Sequence, residues 1–476
     1  MRSGFALWSP ERDKSLCLAI LLGLSVVFLV LGLIDVPNSF YVGEDAFVYM
    51  GSAEIVCQGK TPYVDFAMAH PPGLLMLAVP LRRLGLGMVG QGYVFFAIGL
   101  ALAGLVGWLT SRLGARGALA VSFGVLATLS SRLLFEHQAQ VMSDLPAAVI
   151  LTLSAVALLS EGWGALGVSA ILLVAAAFFR LQCLTALPGL LLINWAIRGA
   201  RLGTIRNIVL VALVLVLHSA VTMAIEARFP GYLKIAYGFQ LSRPAISVGK
   251  RVMVINEILD YPEILLGLLA AIWLSFAKDR RVRGLALFGL ATFLGAAIPG
   301  KSLYSHYFLS VLPSILVCIS LLVGPGLVSG RRRLPIMICI LLVMAMQLYD
   351  AVNRVRLGRT LHAKYSPIVA RVRAIPEKVL LANPLYVVLG EKTFVDDYFA
   401  PDYLMPLINQ RFDEWLRTSV GKADALLIDK AFFGDRASPQ TVRAVRDSGK
   451  PVYFATDEDR VSWERRTSQL ALTPTK

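Results

Sequence analysis

The chain carries little charge for its length. Of its 476 residues 16% are charged and 57% are hydrophobic, whereas a soluble domain averages about 25% charged residues. A wholly soluble protein is therefore excluded, because so much apolar sequence must lie in lipid. The charge that is present is mostly basic, with a formal net charge of +15. In a membrane protein such an excess orients loops and contacts anionic lipid, so we expect membrane lipids and no nucleic acid among its partners.

Cysteine is scarce as well. The five cysteines are scattered and show no CxxC spacing, which argues against a disulfide framework or a thiolate metal site. The C-terminal part, residues 351–476, lacks a Gly-rich phosphate loop, so we assign it no nucleotide. The chain shows no strong internal repeat and no cleavage pattern after its first apolar run, which we expect to be a retained span.

Long apolar runs are abundant. A transmembrane helix needs roughly 17–25 residues, and nearly every short basic turn falls on one side if the amino terminus is cytoplasmic. The main exception is the Arg82–Arg83 pair, so we interpret 71–86 as a helix that lies at the outer face or dips into it. The predicted spans lie near 16–35, 93–110, 118–133, 145–160, 164–179, 183–197, 207–226, 262–277, 284–299, 307–323 and 334–349.

The C-terminal part has a different character. Short apolar runs at 378–382, 425–428 and 451–455 are separated by helical-looking segments at 406–420 and 439–448. Strands that alternate with helices indicate a small α/β domain with a parallel sheet. The predicted fold is thus mainly α, a polytopic transmembrane helical bundle of about 11 spans with a small C-terminal α/β domain. We expect a transmembrane domain at 1–350, with a first outside loop at 36–92, and an extracytoplasmic domain at 351–476.

The first outside loop is rich in acids and tyrosines. Glu44 and Asp45 are adjacent, and they repel each other when both are ionised, which raises the proton affinity of at least one. A carboxylate at the lipid–water boundary can accept a proton from an attacking hydroxyl. The alternative is a solvated loop whose acids cap helices.

Polar residues also gather at four other turns that the topology places outside. Ionisable groups at membrane edges are costly and suggest function, although each Lys or Arg alone is better explained by topology or snorkelling. Their convergence suits a phosphate ester held by basic groups and a sugar lined by tyrosines. A divalent metal ion at this site is possible, although no closely spaced pair of histidines supports one. The residues are Arg132, Glu136, His137, Gln140 and Asp144; Arg180 and Gln182; Tyr232, Lys234, Tyr237, Arg243, Lys250 and Arg251; and Lys301, Tyr304, His306 and Tyr307.

Five motifs over roughly the first 320 residues match one family in their spacing. They are Asp45 with Tyr49, GKTPY at 59–63, His70-Pro71-Pro72, Met142-Ser143-Asp144, and Tyr304-Ser305-His306-Tyr307. In these motifs the chain resembles the GT-C membrane glycosyltransferases that use a polyprenyl-phosphate sugar donor. That group includes protein mannosyltransferases, aminoarabinose transferases and rhizobial lipopolysaccharide galacturonosyltransferases.

The resemblance implies roles for individual residues. Asp45 would be the catalytic base, with Glu44 as the competing acid, because Tyr49 keeps a four-residue offset from Asp45. The substrate-binding candidates are Tyr49, Tyr63, His70, Asp144, Arg180, Lys301, Tyr304 and His306.

The resemblance also implies the reaction and its location. The donor is a polyprenyl-phosphate-linked sugar, and the acceptor is a hydroxyl of a lipid, glycan or protein. A single displacement predicts inversion at the anomeric carbon, with basic residues such as Arg180, Lys234, Arg243 or Lys301 stabilising the leaving phosphate. The expected site is the outer face of a bacterial inner membrane, in cell-envelope lipopolysaccharide or glycan modification.

Two other functions compete with this interpretation. A transporter or lipid flippase would explain the spans without catalysis, but it predicts repeats and a site at the bilayer midplane. A polysaccharide ligase or polymerase would also use lipid-linked substrates, with a different arrangement of loops.

Overall fold

The structure is a computed structural model, and it falls into two compact units. The helical unit comprises Met1–Ser39, Gly92–Met223 and Arg243–Arg356, and the mixed unit comprises Phe40–Gln91, Ala224–Ser242 and Leu357–Lys476. The described residues are 10–42, 45–66, 68, 70–114, 117–160, 162–238, 246–298, 303–328, 332–381, 386–387, 390, 392–394, 416–417, 419–429 and 437–471.

Helices dominate the described residues, and each predicted span overlaps a helix. In chain order they are α1 (Pro10–Ser39), α2 (Asp45–Cys57), α3 (Gly73–Arg83), α4 (Met88–Arg112), α5 (Ala118–Ser130), α6 (Arg132–His137), α7 (Asp144–Leu158), α8 (Gly164–Phe179), α9 (Leu187–Arg228), α10 (Val248–Leu259), α11 (Pro262–Leu274), α12 (Arg280–Ala297), α13 (Leu312–Val328), α14 (Arg333–Ala374), α15 (Pro439–Asp447) and α16 (Asp457–Ala471).

Several of these helices are suited to a bilayer. Among the described residues, four helical stretches are long and apolar enough to cross a membrane: Asp13–Ser39, Met88–Arg112, Leu181–Arg228 and Arg333–Ala374. Shorter apolar helices are α5, α7, α8, α11 and α13. The apolar sequence is thus organised as a polytopic bundle, as its hydropathy predicts.

The long helix α9 is a hairpin of two helices. Gly199 has φ 73° and ψ 177°, a conformation that interrupts the helix. Beyond it the chain folds back on itself. The two segments come so close that a Cβ atom added at Gly203 would lie 2.8 Å from the Cα atom of Trp195. The amide of Asn207 donates to the carbonyl oxygen of Leu191 at 3.1 Å across the same interface. The two predicted spans at 183–197 and 207–226 are therefore two antiparallel helices.

Because the backbones approach so closely at Gly203, any side chain there is expected to destabilise the fold. We expect Gly203→Leu to lower the free energy of unfolding by about 1–3 kcal/mol, because the added atoms meet backbone that cannot swing away. Gly104→Leu is the control, since a Cβ at Gly104 meets nothing within 4 Å. Thermal unfolding midpoints of the two variants in detergent check the prediction. Equal midpoints would contradict the hairpin packing.

Small residues bring α7 and α8 together inside the helical unit. The hydroxyl of Ser154 donates to the carbonyl oxygen of Ser169 at 2.8 Å, and the two hydroxyl oxygens lie 2.9 Å apart. Ala148 and Ala170 are fully buried in the same core. Without a hydrophobic drive inside lipid, such close backbone packing and interhelical hydrogen bonds hold helices together. The contacts between α7 and α8 fix the position of α7, whose first residue is Asp144.

Helix α3, in the mixed unit, is short and amphipathic. Leu74 and Leu75 are buried, whereas Met76 is exposed. The helix ends at Arg82 and Arg83, and the Nε atom of Arg82 lies 2.6 Å from the Oε2 atom of Glu54 in α2. The segment predicted as a short helix, rather than a span, is confirmed as a helix of 11 residues.

The C-terminal part of the mixed unit contains a small parallel sheet. Its strands are β1 (Val379–Leu381), β2 (Thr393–Phe394), β3 (Ala425–Ile428) and β4 (Val452–Phe454), in the order β2-β1-β3-β4. All three pairings are parallel. The three predicted strands and the α/β class are confirmed, and α15 matches the helix predicted at 439–448. Most of the segment 406–420 lies outside the described residues.

Candidate active site

The predicted site residues divide between the two units. Asp144, Arg180, Tyr304 and His306 lie in the helical unit, and Asp45, Tyr49, Tyr63 and His70 lie in the mixed unit. Glu44, Lys301 and Arg243 lie outside the described residues. The residues of each group are positioned by their own neighbouring side chains and helices.

A buried ion pair is the centre of the group in the helical unit. Asp144 is the first residue of α7, where the positive end of the helix dipole favours a carboxylate. Arg180 follows α8 directly, with extended backbone angles that end that helix. Its Nη1 atom lies 3.1 Å from the Oδ2 atom of Asp144. Each residue is only 5% exposed, so the opposite charge beside it offsets part of the cost of burying each group.

His306 extends the ion pair. The Nη2 atom of Arg180 lies 3.1 Å from the Nε2 atom of His306. A guanidinium has no acceptor and can only donate, so Nε2 accepts and the imidazole is neutral, with its proton on Nδ1. Arg180 also donates through Nη1 to the hydroxyl of Ser143 at 3.3 Å. The arginine thereby connects the start of α7 to the turn that contains His306.

Aromatic rings packed on Arg180 and His306 extend this cluster to the surface of the helical unit. The Arg180 guanidinium lies 4.6 Å from the centroid of the Tyr307 ring, a cation–π distance. The Tyr304 ring stacks on His306 with centroids 5.4 Å apart and an interplanar angle of 7°. Tyr304 is 48% exposed, whereas Tyr307 is buried. The cluster therefore presents one flat aromatic face outward, a surface on which a sugar ring can pack.

His137 lies beside the same cluster. Its ring meets that of His306 edge-on at 5.7 Å, and its Nδ1 atom is 3.5 Å from the Oε1 atom of Gln140. Burial, opposed in part by the nearby Glu136 carboxylate, lowers the pKa of His137 to about 4. At neutral pH the ring is therefore uncharged.

This depressed pKa predicts acid sensitivity. The unfolded chain binds the proton with an ordinary histidine pKa of about 6.5, so below that pH the unfolded state holds more protons than the folded state. Stability must then fall as the pH falls from 6.5 toward 4. We expect a loss of about 2 kcal/mol between pH 7 and pH 5, most of it absent in His137→Gln. Unfolding midpoints at both pH values test this, and an unchanged loss in the variant would contradict it.

A second polar network surrounds Glu136. Its Oε1 atom accepts from Arg132 at 3.0 Å, and its Oε2 atom accepts from the hydroxyl of Tyr261 at 3.0 Å. Its backbone oxygen accepts from Arg354 at 2.6 Å, and Arg354 in turn lies 3.5 Å from the buried carboxylate of Asp35 in α1. Sequence reasoning missed Asp35 and Arg354. An acid inside an apolar span was the available signal, because such a residue needs a buried partner.

In the mixed unit, a tight turn positions His70. Tyr63 has φ 64°, a left-handed conformation that is uncommon for a residue with a side chain. Its hydroxyl donates to the backbone oxygen of His70, and its ring meets Tyr232 edge-on at 5.2 Å. Burial raises the pKa of Tyr63 well above its usual value, so the hydroxyl stays a donor. The nearby Asp65 accepts from the amide of Thr61 at 2.6 Å and stabilises the turn.

Tyr49 links this turn to helix α2. Asp45 is the first residue of α2, and Tyr49 follows it by one helical turn. The Tyr49 ring is buried, with its centroid 5.5 Å from that of His70. Of the motif residues, His70 is therefore in contact with both Tyr49 and Tyr63. Within the described part of the chain, no three His, Cys, Asp or Glu side chains form a group suited to a metal ion.

Comparison with known proteins gives a structural match and no sequence match. No protein-family model matches the chain, and no curated protein matches it. Among solved structures, the crystal structure of ArnT from Cupriavidus metallidurans in the apo state aligns with a TM-score of 0.55 and 16% sequence identity, over 84% of this chain and 91% of that chain. The predicted fold is thus confirmed as a GT-C-type helical bundle with a small α/β domain.

Proposed function

We propose that this chain is a membrane glycosyltransferase. It moves a sugar from a polyprenyl-phosphate donor to a hydroxyl of an acceptor lipid, glycan or protein, on the extracytoplasmic side of a bacterial inner membrane. The observation that carries the proposal is the arrangement that follows Asp45, where the next helical turn places Tyr49 against His70. The ArnT-like fold supports a reaction of this class without identifying the sugar.

The proposed chemistry is a single displacement with Asp45 as base. The carboxylate of Asp45 takes the proton from the acceptor hydroxyl. The acceptor oxygen forms a bond to the anomeric carbon as the bond between that carbon and the phosphate oxygen breaks. Polyprenyl phosphate leaves with the electron pair, and the configuration at the anomeric carbon inverts.

The leaving phosphate needs positive charge that is not already compensated. The charge of Arg180 is balanced by Asp144 at 3.1 Å, so we assign this pair mainly to holding His306 and the exposed Tyr304 ring. The exposed Lys234 is better suited to the phosphate, with His70 as a hydrogen-bond donor to it. Lys301 and Arg243 complete the set of basic candidates that the sequence supplies.

The rival function is lipid or glycan transport without catalysis. Such proteins place their polar sites near the bilayer midplane, on broken helices. The polar cluster described above instead lies at helix ends, with Asp144 beginning α7 and Arg180 ending α8. This placement favours an enzyme that works at the membrane surface.

Purified protein in proteoliposomes distinguishes the two functions. The vesicles would contain a radiolabelled polyprenyl-phosphate sugar and a cell-envelope acceptor fraction. We expect the label to appear on the acceptor and polyprenyl phosphate to be released. Movement of the intact donor between leaflets with no transfer, for every sugar in a panel of donors, would support transport and overturn the proposal.

A further inference from the structure

A turn in the mixed unit, residues 229–237, follows α9 and packs against Tyr63. It ends in a short π-helix, Leu233–Tyr237. The ring of Tyr232 in this turn meets the Tyr63 ring edge-on at 5.2 Å, and the Tyr63 hydroxyl donates to the backbone oxygen of His70. A π-helix is rare and frequently lies at a functional site. Whatever holds the turn against Tyr63 therefore also affects the position of His70.

The carboxylate of Glu226 fixes the start of this turn. Its Oε1 atom accepts from the amide of Gly231 at 3.0 Å, and its Oε2 atom accepts from the amide of Leu233 at 2.8 Å. Amides at the start of a helix lack an acceptor within the helix, and a carboxylate that accepts from two of them forms charge-assisted hydrogen bonds. Glu226 lies in the last turn of α9, so these two bonds connect the turn to the end of that helix.

Gly231 allows the two segments to approach closely. Its φ is 102°, a conformation that residues with a side chain rarely adopt. A Cβ atom added there would lie 2.8 Å from the backbone oxygen of Tyr63, and Tyr63 itself has φ 64°. Two uncommon backbone conformations thus lie against each other. Such conformations persist only where the surrounding structure enforces them, and they cluster at functional sites.

These contacts form a path through the mixed unit. It begins at Glu226 and crosses at Gly231 to Tyr63. The hydroxyl of Tyr63 then connects it to His70. We propose that Glu226 and Gly231 are positioning residues for sugar transfer. They dock the turn on Tyr63, which holds His70 in place as a donor to the phosphate of the lipid-linked sugar. This role rests on the proposed function, and it requires no contact between either positioning residue and the substrate.

Chemical modification of His70 tests the docking without an assay of sugar transfer. Diethyl pyrocarbonate modifies accessible imidazole rings, and His70 is the only histidine of the tryptic peptide 61–82. We expect Gly231→Ala to raise the modification rate of His70 by at least about threefold, because the added Cβ forces the turn off Tyr63 and this region opens more often. Gly238→Ala is the matched control, since its backbone is helical and a Cβ there meets nothing within 4 Å. Equal rates in the two variants would overturn the docking.

Tyr63→Phe tests whether the effect passes through the Tyr63 hydroxyl. This variant keeps the ring and removes the donor to His70, so it should raise the same modification rate. In the double variant with Gly231→Ala the two increases should not multiply, because both changes act on one path. Increases that multiply would contradict a path from the turn to His70.

Sugar transfer measures the consequence of the docking. We expect Gly231→Ala and Glu226→Ala to lower kcat/KM for the lipid-linked donor by at least about tenfold, since a displacement of about 1 Å can cost about 10²-fold. Glu226→Gln, which retains one acceptor oxygen for the two amides, should lose less than Glu226→Ala. Unchanged transfer in variants whose His70 is modified faster would overturn the positioning role. A wild type that transfers no sugar would instead contradict the proposed function, and the modification rates would still decide the docking.

Discussion

Sugar transfer by the Asp45→Asn variant is expected to be 10²- to 10⁴-fold slower than by the wild type. Asparagine keeps the size of the side chain but cannot accept the proton of the acceptor hydroxyl, and general-base catalysis contributes about this factor. Helix α2 should still form, because Asn is also favourable at the start of a helix. The measurement is the initial rate of transfer from a labelled lipid-linked sugar, in membranes with equal amounts of each protein.

Glu44→Gln is the matched control for this prediction. It removes the neighbouring carboxylate and leaves Asp45 as the only acid of the pair. We expect a change of less than tenfold, because the base is still present. Wild-type rates in Asp45→Asn together with a large loss in Glu44→Gln would transfer the role of base to Glu44.

Breaking the buried Asp144–Arg180 pair is expected to cost about 3–5 kcal/mol of folding free energy. Arg180→Leu removes the cation that lies 3.1 Å from the buried Asp144 carboxylate, and removing one partner of a buried ion pair carries a penalty of this size. It also removes the donor to His306. Unfolding midpoints in detergent measure the effect. Arg201→Leu, at an exposed arginine, should change stability by less than about 0.5 kcal/mol.

The double variant Asp144→Leu with Arg180→Leu tests whether the loss comes from the pair. Removing both charges leaves no carboxylate without its cation at this position, so the double variant should be more stable than Arg180→Leu alone. Additive losses would show that the two residues act independently and would contradict the ion pair as the centre of this cluster.

The bundle was predictable because its signals are local. Apolar runs give the spans, and basic turns orient them. Helix α2 was treated as part of a loop, although its buried residues Ala46, Tyr49, Met50 and Ala53 follow the i, i+3, i+4, i+7 pattern of a helix. Its 13 residues are too few to stand out beside the spans. Strand β2, of two residues, gave no readable signal because it forms only where β1 supports it.

The sequence supplies a list of candidate site residues, but it does not predict the contacts among them. Charge counting placed Asp144, Arg180 and His306 on one face. Their pairing joins residues 126 positions apart in the case of Arg180 and His306, and only tertiary packing determines it. The Asp35–Arg354 pair was missed for the same reason, since neither residue identifies its partner in the sequence.

Analysis of the products of one reaction tests the central claim most directly. Purified wild-type protein would be given a single lipid-linked sugar of known anomeric configuration, and the products would be analysed by NMR and mass spectrometry. The proposed mechanism predicts one polyprenyl phosphate released for each sugar transferred, with the anomeric configuration inverted. Retention of configuration, or sugar transfer without release of polyprenyl phosphate, would contradict single displacement from a polyprenyl-phosphate donor.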